Sequence, residues 1–424
     1  MSQDSRLASK IKSLTTRFAS RLSAGRKRVT RRLVREVLLG VQAAKDVKVS
    51  QIARSLGENA SLLSTEIRLC RRLGDEDLTD TINRRIAWEG AGEVTDETVL
   101  ALDIGDLRKE HAKRMEHLAE VRDGSTGEIA KGYWLCGMLA AHPYGDKITP
   151  LYGELYAAAA EGFRSENDQI FRAIEAVSDA TDRGGIYAID RGGDRWEILN
   201  FLLERGLRFV IRQRGDRHLL MSTGRERRAS AVPHWSRARE KHLVEIERNG
   251  ERERLTLTMR VFPTRLPKCP DTPLWLVQIE GFGQKPLLLL TNVPPPRAGS
   301  HAQWIADIYL TRWKCEEAYR FLKQAYHLED VRVRSYTALR NLYVLAHAVF
   351  YFVSQVLGAK ARLNLLFKKV CEKAQRFYEV ASFFQYALAD GIHRLLFARP
   401  VLPAREPPPT HSRQLLLRFA KPPD

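Results

Sequence analysis

The sequence predicts an α/β fold with a mixed central sheet, flanked by helical regions towards both ends of the chain. Between Thr95 and Arg214, apolar strand-like runs and stretches of helical periodicity follow the order β-β-β-α-β-α-β. Glycine-containing and turn-rich segments such as RDGSTGE separate these runs. An apolar content of 44% over 424 residues is sufficient for a large core.

The elements of this segment can be assigned in order. ETVLALDIGDL predicts a first strand that reaches Asp103, with Asp106 just beyond, and GYWLCGMLAA and ITPLYGELYA predict two more strands. NDQIFRAIEAVSDATDRGG predicts a helix with Asn167 as its N-cap. IYAID predicts a fourth strand ending on Asp190. DRWEILNFLLERG then predicts a helix that stops at Gly206, and LRFVIRQR predicts a fifth strand.

The N-terminal region, residues 1–94, is predicted to be a basic helical domain that faces DNA. Residues 6–35 contain eleven basic residues and no acidic one, with apolar residues at helical spacing, which indicates a basic amphipathic helix. VSQIARSLGENASLLSTEIRLCRRL places two short helical patterns around Gly57 and Asn59. This pattern is compatible with a helix-turn-helix, and any other helical hairpin would produce it as well.

The boundaries of the remaining regions follow from changes in periodicity. The predicted first part of the core, residues 95–214, is followed by a β-rich segment, residues 215–296, that either interrupts or extends the α/β domain. Its Asn249-Gly250 pair lies between alternating runs, which predicts a hairpin. The later regions are a core helix at 297–335, a helical region at 336–398 and a Pro-rich, poorly ordered tail at 399–424.

Charge and cysteine content indicate the kind of partner and compartment. Sixty-nine Lys and Arg against fifty-one Asp and Glu give a net charge of +18, which favours a polyanionic partner such as nucleic acid or an anionic membrane surface.

The apolar run 342–357 is shorter than the about 20 residues that a membrane-spanning helix needs and is interrupted by His347, so it is predicted to be a buried helix. Five scattered cysteines and the absence of a signal core predict a reducing, cytoplasmic setting.

The helical segment DIYLTRWKCEEAYRFLKQAYHLED has four polar residues on one face. At about 100° per residue, Tyr309, Arg312, Glu316 and Lys323 fall within an arc of roughly 60°, beside apolar residues. An Arg312–Glu316 ion pair at i,i+4 accounts for two of them. A metal-coordinating Glu316, flanked by cations and a phenol that hold phosphates, accounts for all four.

Further oxygen ligands are offered by the two predicted strand ends at Asp103 and Asp190. Ligand sites in α/β folds gather at strand ends, although aspartate is also a common turn residue. Two-metal phosphoryl transfer requires carboxylates that converge on a pair of ions. The sequence therefore predicts Asp103, Asp190 and Glu316 as one site.

These residues resemble a known family. The spacing Y-x2-R-x3-E-x6-K, formed by Tyr309, Arg312, Glu316 and Lys323, is similar to the signature of one insertion-sequence group of DDE transposases. LALDIGD resembles the first-aspartate motif of that family, and AIDRGGD resembles the second. The RFVIR strand that follows is also similar, and the resemblance covers roughly residues 93–330.

The resemblance implies a ribonuclease-H-like catalytic core interrupted by the β-rich segment, and an enzyme that cleaves transposon terminal inverted repeats and joins the ends to target DNA. Asp103, Asp190 and Glu316 would hold two Mg²⁺ ions, with Mn²⁺ as a substitute. Tyr309, Arg312, Lys323 and Arg212 would contact DNA phosphates. The expected partners are DNA and a second copy of the chain in a homodimer, without a membrane, in a prokaryotic cytoplasm near the nucleoid.

Several alternatives remain open at this point. Asp106 competes with Asp103 as a ligand, whereas Glu317 projects about 100° away from Glu316. Trp235 and Trp275 lie in the segment from which some relatives stack a flipped base, but a core role is also consistent with the sequence. Alternative functions are a metal-dependent, structure-selective nuclease and a non-catalytic DNA-binding protein derived from a transposase.

Overall fold

The computed structural model describes residues 3–109, 111–122, 127–145, 147–232, 240–248, 251–281, 285–357, 385–397 and 416–418. The N-terminal region contains five helices rather than one long basic helix followed by a hairpin. They are α1 Gln3–Leu22, α2 Arg28–Ala44, α3 Val49–Leu56, α4 Leu62–Gly74 and α5 Thr79–Gly90. The predicted helical pair around Gly57 is confirmed as α3 and α4, and Gly57 has the left-handed backbone that ends α3.

The next part of the chain confirms the predicted order of strands and helices, with one additional short strand, β2. The elements are β1 Val99–Arg108, β2 Ala119–Arg122, β3 Ile129–Ala141, β4 Ile148–Tyr156, α6 Glu166–Ala180, β5 Ile186–Ile189, α7 Trp196–Glu204 and β6 Arg208–Arg212. The N-cap of α6 is Ser165 and not the predicted Asn167. The Ser165 hydroxyl accepts a hydrogen bond from the Asp168 N–H at 3.1 Å, so the helix begins two residues earlier.

The sheet is mixed, as predicted. β1 is antiparallel to β3 and parallel to β5, and β5 is parallel to β6, while β4 lies antiparallel on the far side of β3. This order and these directions confirm the predicted mixed α/β sheet. β5 pairs with β1 only over Val99–Leu102, so the second half of β1 continues beyond the end of β5.

The β-rich segment extends the central sheet. Its strands are β7 His218–Met221, β8 Glu226–Arg228, β9 Glu240–Arg248, β10 Glu251–Leu266, β11 Cys269–Glu280 and β12 Leu287–Thr291. β12 pairs antiparallel with β6, and β11, β10 and β9 follow in order. Arg248 pairs with Glu251, so the predicted hairpin is present, although its two turn residues lie outside the described part.

The later helices are α8 His301–Thr311, α9 Lys314–Ala325, α10 Tyr336–Tyr351 with a π-helical turn Phe352–Val356, and a C-terminal helix Gln385–Phe397. Three of them, α8, α9 and α10, pack against the sheet, and the C-terminal helix packs against α1 and α2. A short strand, Leu416–Arg418, pairs with β9, and the rest of the predicted Pro-rich tail after Phe397 lies outside the described residues. Among the described helices, none is long and apolar enough to cross a membrane, and residues 342–353 are almost entirely buried.

The predicted continuous helix over 307–330 is broken between α8 and α9. The Thr311 hydroxyl donates to the Asp307 carbonyl at 2.7 Å, and the N–H groups of Arg312 and Trp313 bond to carbonyls three residues back. Back-bonding by threonine and a tighter turn both bend a helix. As a result, Arg312 lies at the bend and Glu316 lies in the first turn of a new helix.

The N-terminal helices are joined to the core by polar and apolar contacts. The Asn83 side chain exchanges two hydrogen bonds with the Gly153 backbone in β4, at 3.0 and 3.1 Å. Asn341 in α10 bonds to the backbone of Leu73, Glu76 and Leu78. One continuous apolar cluster runs from Leu7 in α1 to Leu395 in the C-terminal helix. The helical regions therefore share a core with the sheet.

Candidate active site

The two predicted aspartates lie side by side, Asp190 directly after β5 and Asp103 in the middle of β1, which continues to Arg108 and does not end at Asp103 as predicted. Leu102 of β1 pairs with Ile189 of β5, and Asp103 and Asp190 are the next residue of each parallel strand. The Asp190 carboxylate accepts a hydrogen bond from the Gly192 N–H at 2.7 Å, which orients it in the turn after β5. Parallel pairing therefore brings together two carboxylates that are 87 positions apart in sequence.

Burial disfavours the charged form of Asp103. It raises the pKa of Asp103 to about 7, Arg312 acts to lower this pKa, and the charges of Asp190 and Glu316 raise it further. Asp190 and Glu316 therefore both lie close enough to act on Asp103. Positive charge at this position would relieve the cost of ionising all three.

Arg312 provides part of that positive charge. Its guanidinium is 7% exposed and bridges two carboxylates, with Nη1 at 2.9 Å from Asp103 Oδ1 and Nη2 at 3.2 Å from Glu316 Oε1. The bend between α8 and α9 places Arg312 between β1 and the first turn of α9. The sequence predicted that Arg312 would hold phosphates, and in this structure its contacts are with the carboxylates.

Tyr319 and Cys315 hold α9 against β1. The Tyr319 hydroxyl donates to the Asp103 carbonyl at 2.8 Å, and the Cys315 thiol donates to the Ala101 carbonyl at 3.1 Å. The Tyr319 ring lies against Gly105 and Gly137, where a Cβ would be 3.3 Å from the ring and 2.6 Å from the hydroxyl oxygen, respectively. Absence of side chains at both positions allows the close approach that fixes Glu316 beside Asp103.

Tyr309 and Arg212 form the other wall of the site. Tyr309 is 2% exposed, and the Arg312 guanidinium lies 5.8 Å from the centre of its ring. Burial raises the pKa of Tyr309, while Arg312 and Arg212 act against this shift, Arg212 in part through a hydrogen bond. Arg212 is the last residue of β6, so a third strand contributes to the site.

Lys323 lies further along β1 than the other members of the predicted set. Its ammonium is 3.5 Å from Asp106 Oδ2 and 3.2 Å from Glu329 Oε1. Asp106, the alternative ligand, is therefore paired with a lysine. Glu317 pairs with Arg320 at 2.5 Å, and in both cases the carboxylate has a cationic partner outside the Asp103 cluster.

The fit to a metal ion depends on the donor set. Asp103, Asp190 and Glu316 offer only carboxylate oxygens, the ligands preferred by Mg²⁺, and their charge exceeds that of the bridging Arg312. In the described part of the chain, however, no three acidic, His or Cys side chains are close enough together to enclose one ion. The chemistry of the donors fits Mg²⁺. In this structure Asp103 and Glu316 contact Arg312, so their carboxylates would have to rotate away from Arg312 to bind an ion.

Two groups in the site were not predicted from the sequence. Tyr319 follows Glu316 by three residues, and its ring lies against Gly105 and Gly137. These two glycines within predicted strands were the only sequence signal for a close contact at this position. Asp194 is 7% exposed, accepts from Arg217 Nε at 2.6 Å and from the Arg214 N–H at 2.8 Å, and so fixes the turn after Asp190. The last Asp of AIDRGGD was noted only as part of a motif.

Trp275 lies within the β-rich segment. Trp275 is half-buried in β11, and its ring packs edge-on against His301 at 5.3 Å between centroids. Trp235 lies outside the described residues. A base-stacking role therefore remains a prediction for Trp235, and the contacts of Trp275 are those of a packed residue.

Comparisons with known proteins indicate the class of protein. Residues 156–351 match the family model of the transposase DDE domain, and this match supports a DDE transposase. The matched residues include Asp190 and Glu316 and begin after Asp103. No match was found among curated proteins. A cryo-EM structure of the piggyBac transposase synaptic complex with hairpin DNA is 13% identical, covers 93% of this chain and 80% of that chain, and has a TM-score of 0.43.

Proposed function

We propose that this protein is a DDE transposase that cleaves DNA at the terminal inverted repeats of its own element and transfers the ends to target DNA. The observation that carries the proposal is the arrangement of three carboxylates, with Asp103 and Asp190 side by side on paired strands and Arg312 bridging Asp103 and Glu316. The family match over residues 156–351 supports the same class. The net charge of +18 supports DNA as the partner.

Each residue of the site has a role in this proposal. Asp103, Asp190 and Glu316 hold two Mg²⁺ ions, for which Mn²⁺ substitutes, and Asp103 ionises fully when positive charge replaces the contact with Arg312. The bound metal supplies Lewis acidity for in-line attack on a phosphodiester by water or a 3′-hydroxyl. Released from the carboxylates, Arg312 contacts a phosphate together with Arg212, and Tyr309 fixes the orientation of both guanidinium groups.

The remaining features belong to DNA binding and assembly. Lys323, on the same helix as Glu316, contacts DNA further from the cut, and the basic α1–α4 region binds the transposon end, with α3 and α4 as a helix-turn-helix. Two ends are brought together by a homodimer. Because the element is expected to be an insertion sequence, the protein acts in the prokaryotic cytoplasm.

The test is a cleavage and strand-transfer assay on the DNA that flanks the gene, in the presence of Mg²⁺. Wild-type protein is compared with Glu316→Gln, which keeps the shape and removes the charge, and with the matched control Glu317→Gln one residue away. We expect cutting at the repeat ends by wild type and by the control, and at least a 100-fold loss in Glu316→Gln. Equal cutting by Glu316→Gln would show that Glu316 is only a partner of Arg312.

The products separate the proposed activity from its alternatives. A transposase joins the cleaved 3′-ends to a second DNA, whereas a structure-selective nuclease yields cut ends without joined products. Tight binding by wild type without cutting in Mg²⁺ or Mn²⁺ would favour a non-catalytic DNA-binding protein.

A further inference from the structure

A basic cleft lies beside the candidate active site, along the half of β1 that extends beyond β5. Its volume is about 700 Å³. The walls come from the end of β1, from Lys109 and residues 111–115 after it, from Lys323 in α9, and from residues 329–332 and 334 after α9. β1 runs without interruption from Asp103 to Arg108, so the cleft lies further along the strand that carries Asp103.

The acidic residues of the described lining have ion-pair partners. Asp106 and Glu329 share Lys323, at 3.5 and 3.2 Å, and Asp330 pairs with Lys48 of the N-terminal region at 3.2 Å. The described lining contains seven Lys and Arg against three Asp and Glu, so positive charge exceeds negative charge by four.

Four exposed cations in the lining supply the excess positive charge. Among the described residues, no carboxylate forms an ion pair with any of them: Lys113, Arg114, Arg332 and Arg334. They lie on two different loops, two on each, so the charge is distributed along the cleft. A distribution along a groove suits a chain of phosphates.

The two loops that carry these cations are tied together. The Lys109 ammonium is 4% exposed and donates to the carbonyls of Leu328, Glu329 and Val331 at 3.1, 2.6 and 3.0 Å. At the other end of the cleft, the Glu116 N–H donates to the Arg334 carbonyl at 3.0 Å. The cations are thus presented on a preformed frame, which reduces the entropy cost of binding.

We propose that this cleft binds the sugar–phosphate backbone of the DNA next to the cleaved phosphodiester, through Lys113, Arg114, Arg332 and Arg334, with Lys109 as a positioning residue. The proposal rests on the proposed function. Three to five residues of strand separate Asp103 from the cleft, which is about 10–16 Å. At about 3.4 Å per nucleotide along a duplex, the contacted phosphates lie about three to five nucleotides from the cut.

The first test measures DNA affinity against salt concentration for the full-length protein, with Ca²⁺ in place of Mg²⁺ and a labelled duplex of the flanking DNA. The variant Arg332→Gln/Arg334→Gln is compared with Lys147→Gln/Arg183→Gln. The control removes two cations that precede β4 and β5, at the opposite end of the sheet.

The expected effect follows from counterion release. Each lost phosphate contact lowers the salt slope by about 0.9 and weakens binding about eightfold at 0.1 M salt. The cleft variant should therefore lose about two units of slope and about 60-fold in affinity, and the control should stay within about twofold of wild type. Arg332→Lys/Arg334→Lys keeps the charge and should retain most of the slope, which separates charge from a folding defect.

The second test locates the contact on the DNA. Single phosphates are replaced by neutral methylphosphonates, and we expect wild type to lose affinity at about three to five nucleotides from the cut, where the cleft variant is insensitive. Equal losses in both proteins at every position, or equal salt slopes for cleft and control variants, would overturn the proposal. If wild type cuts DNA and the cleft variant has the same salt slope as wild type, the cleft proposal is refuted and the proposed function stands. If the cleft variant has a lower salt slope but wild type does not cut DNA, the proposed function is refuted and the cleft proposal stands.

Discussion

Substitution of Gly137 by alanine tests whether the contact between α9 and β1 holds the catalytic carboxylates together. Gly137 lies in the middle of β3, opposite Asp103 in the antiparallel pairing. An alanine Cβ would lie 2.6 Å from the Tyr319 hydroxyl oxygen and 3.1 Å from the ring carbon that carries it. An ordinary carbon–oxygen contact is about 3.3 Å, so the overlap is about 0.7 Å.

The cost can be estimated from these contacts. Overpacking of this kind costs about 1–3 kcal/mol, and displacement of Tyr319 also forfeits its hydrogen bond to the Asp103 carbonyl, worth about 1 kcal/mol. We therefore expect Gly137→Ala to lose about 2–4 kcal/mol of folding free energy. At about 2 cal/mol/K per residue, the unfolding entropy of the chain is about 0.9 kcal/mol/K, so the melting temperature should fall by about 2–4 °C.

The assay is a double-mutant cycle followed by thermal unfolding. Tyr319→Phe removes the hydroxyl that meets the new methyl group, so it should cost about 1 kcal/mol in the wild-type background and recover stability in the Gly137→Ala background. The coupling between the two sites should be about 1–2 kcal/mol. DNA cleavage should fall more than DNA binding in Gly137→Ala, because Glu316 moves with α9.

The matched control is Gly92→Ala, at a position where an added Cβ meets no atom within 4 Å. It should change stability by less than about 1 kcal/mol. Strict additivity of Gly137→Ala and Tyr319→Phe would refute the reasoning, since it would mean that the methyl group is accommodated without displacing the tyrosine.

Three further predictions concern packing of α10 against β4 and of α2 against α3. Arg340→Met removes a guanidinium 3.0 Å from Glu154, which is 0% exposed, and should cost about 3 kcal/mol in urea unfolding; an unchanged midpoint would contradict this. Burial lowers the pKa of His347 to about 3, below the ordinary value of about 6.5, so stability is retained above pH 6.5 and falls as pH decreases towards 3. Wild type should lose about 2 kcal/mol between pH 7.5 and pH 5 through this group, and His347→Gln should lose that much less. Gly40→Ala places a Cβ 2.5 Å from Ile52 Cγ2, so it should destabilise the contact of α2 with α3 and weaken DNA binding before it affects cleavage of bound DNA.

The strand order of the core could be predicted because each strand has a local signal. Apolar runs leading to Asp103 and Asp190 indicated two strands, and parallel pairing brings the two aspartates side by side, although β1 continues to Arg108 and does not end at Asp103. Arg312 contacts both Asp103 and Glu316, so Glu316 lies near this pair, while the catalytic role of the three carboxylates stays a prediction. These inferences needed only periodicity and the general geometry of α/β sheets.

The bend at Arg312 was not predictable from periodicity. It arises where Thr311 bonds to the carbonyl of Asp307, in a segment whose apolar pattern continues through the bend. Tyr309 therefore lies in α8, before the bend, whereas Glu316 and Lys323 both lie in α9 and share one face. Their separation of seven residues, about 10 Å of helix rise, places Lys323 beside Asp106 and Glu329 rather than beside Asp103. The cap at Ser165 was missed because serine and asparagine both cap helices and only backbone geometry decides between them.

The pairing of β12 with β6 was left open by the sequence. An apolar run such as LLLLT is compatible with a separate inserted domain or with an extension of the sheet. The choice depends on which strand edge is available, and this is a property of the assembled fold. β6 presents that edge, and β12 occupies it.

The apolar cluster shared by the N-terminal helices, the sheet and α10 has a consequence for the precision of cutting. A DNA-binding domain on a flexible tether could deliver the catalytic carboxylates to many positions near its recognition sequence. Here Asn83 is bonded to β4 and Asn341 to the N-terminal region, so the helices and the catalytic strands are parts of one body. If α3 and α4 bind the transposon end, the distance between them and the proposed catalytic residues is fixed by the fold. The number of base pairs between the recognised sequence and the cut should therefore be constant.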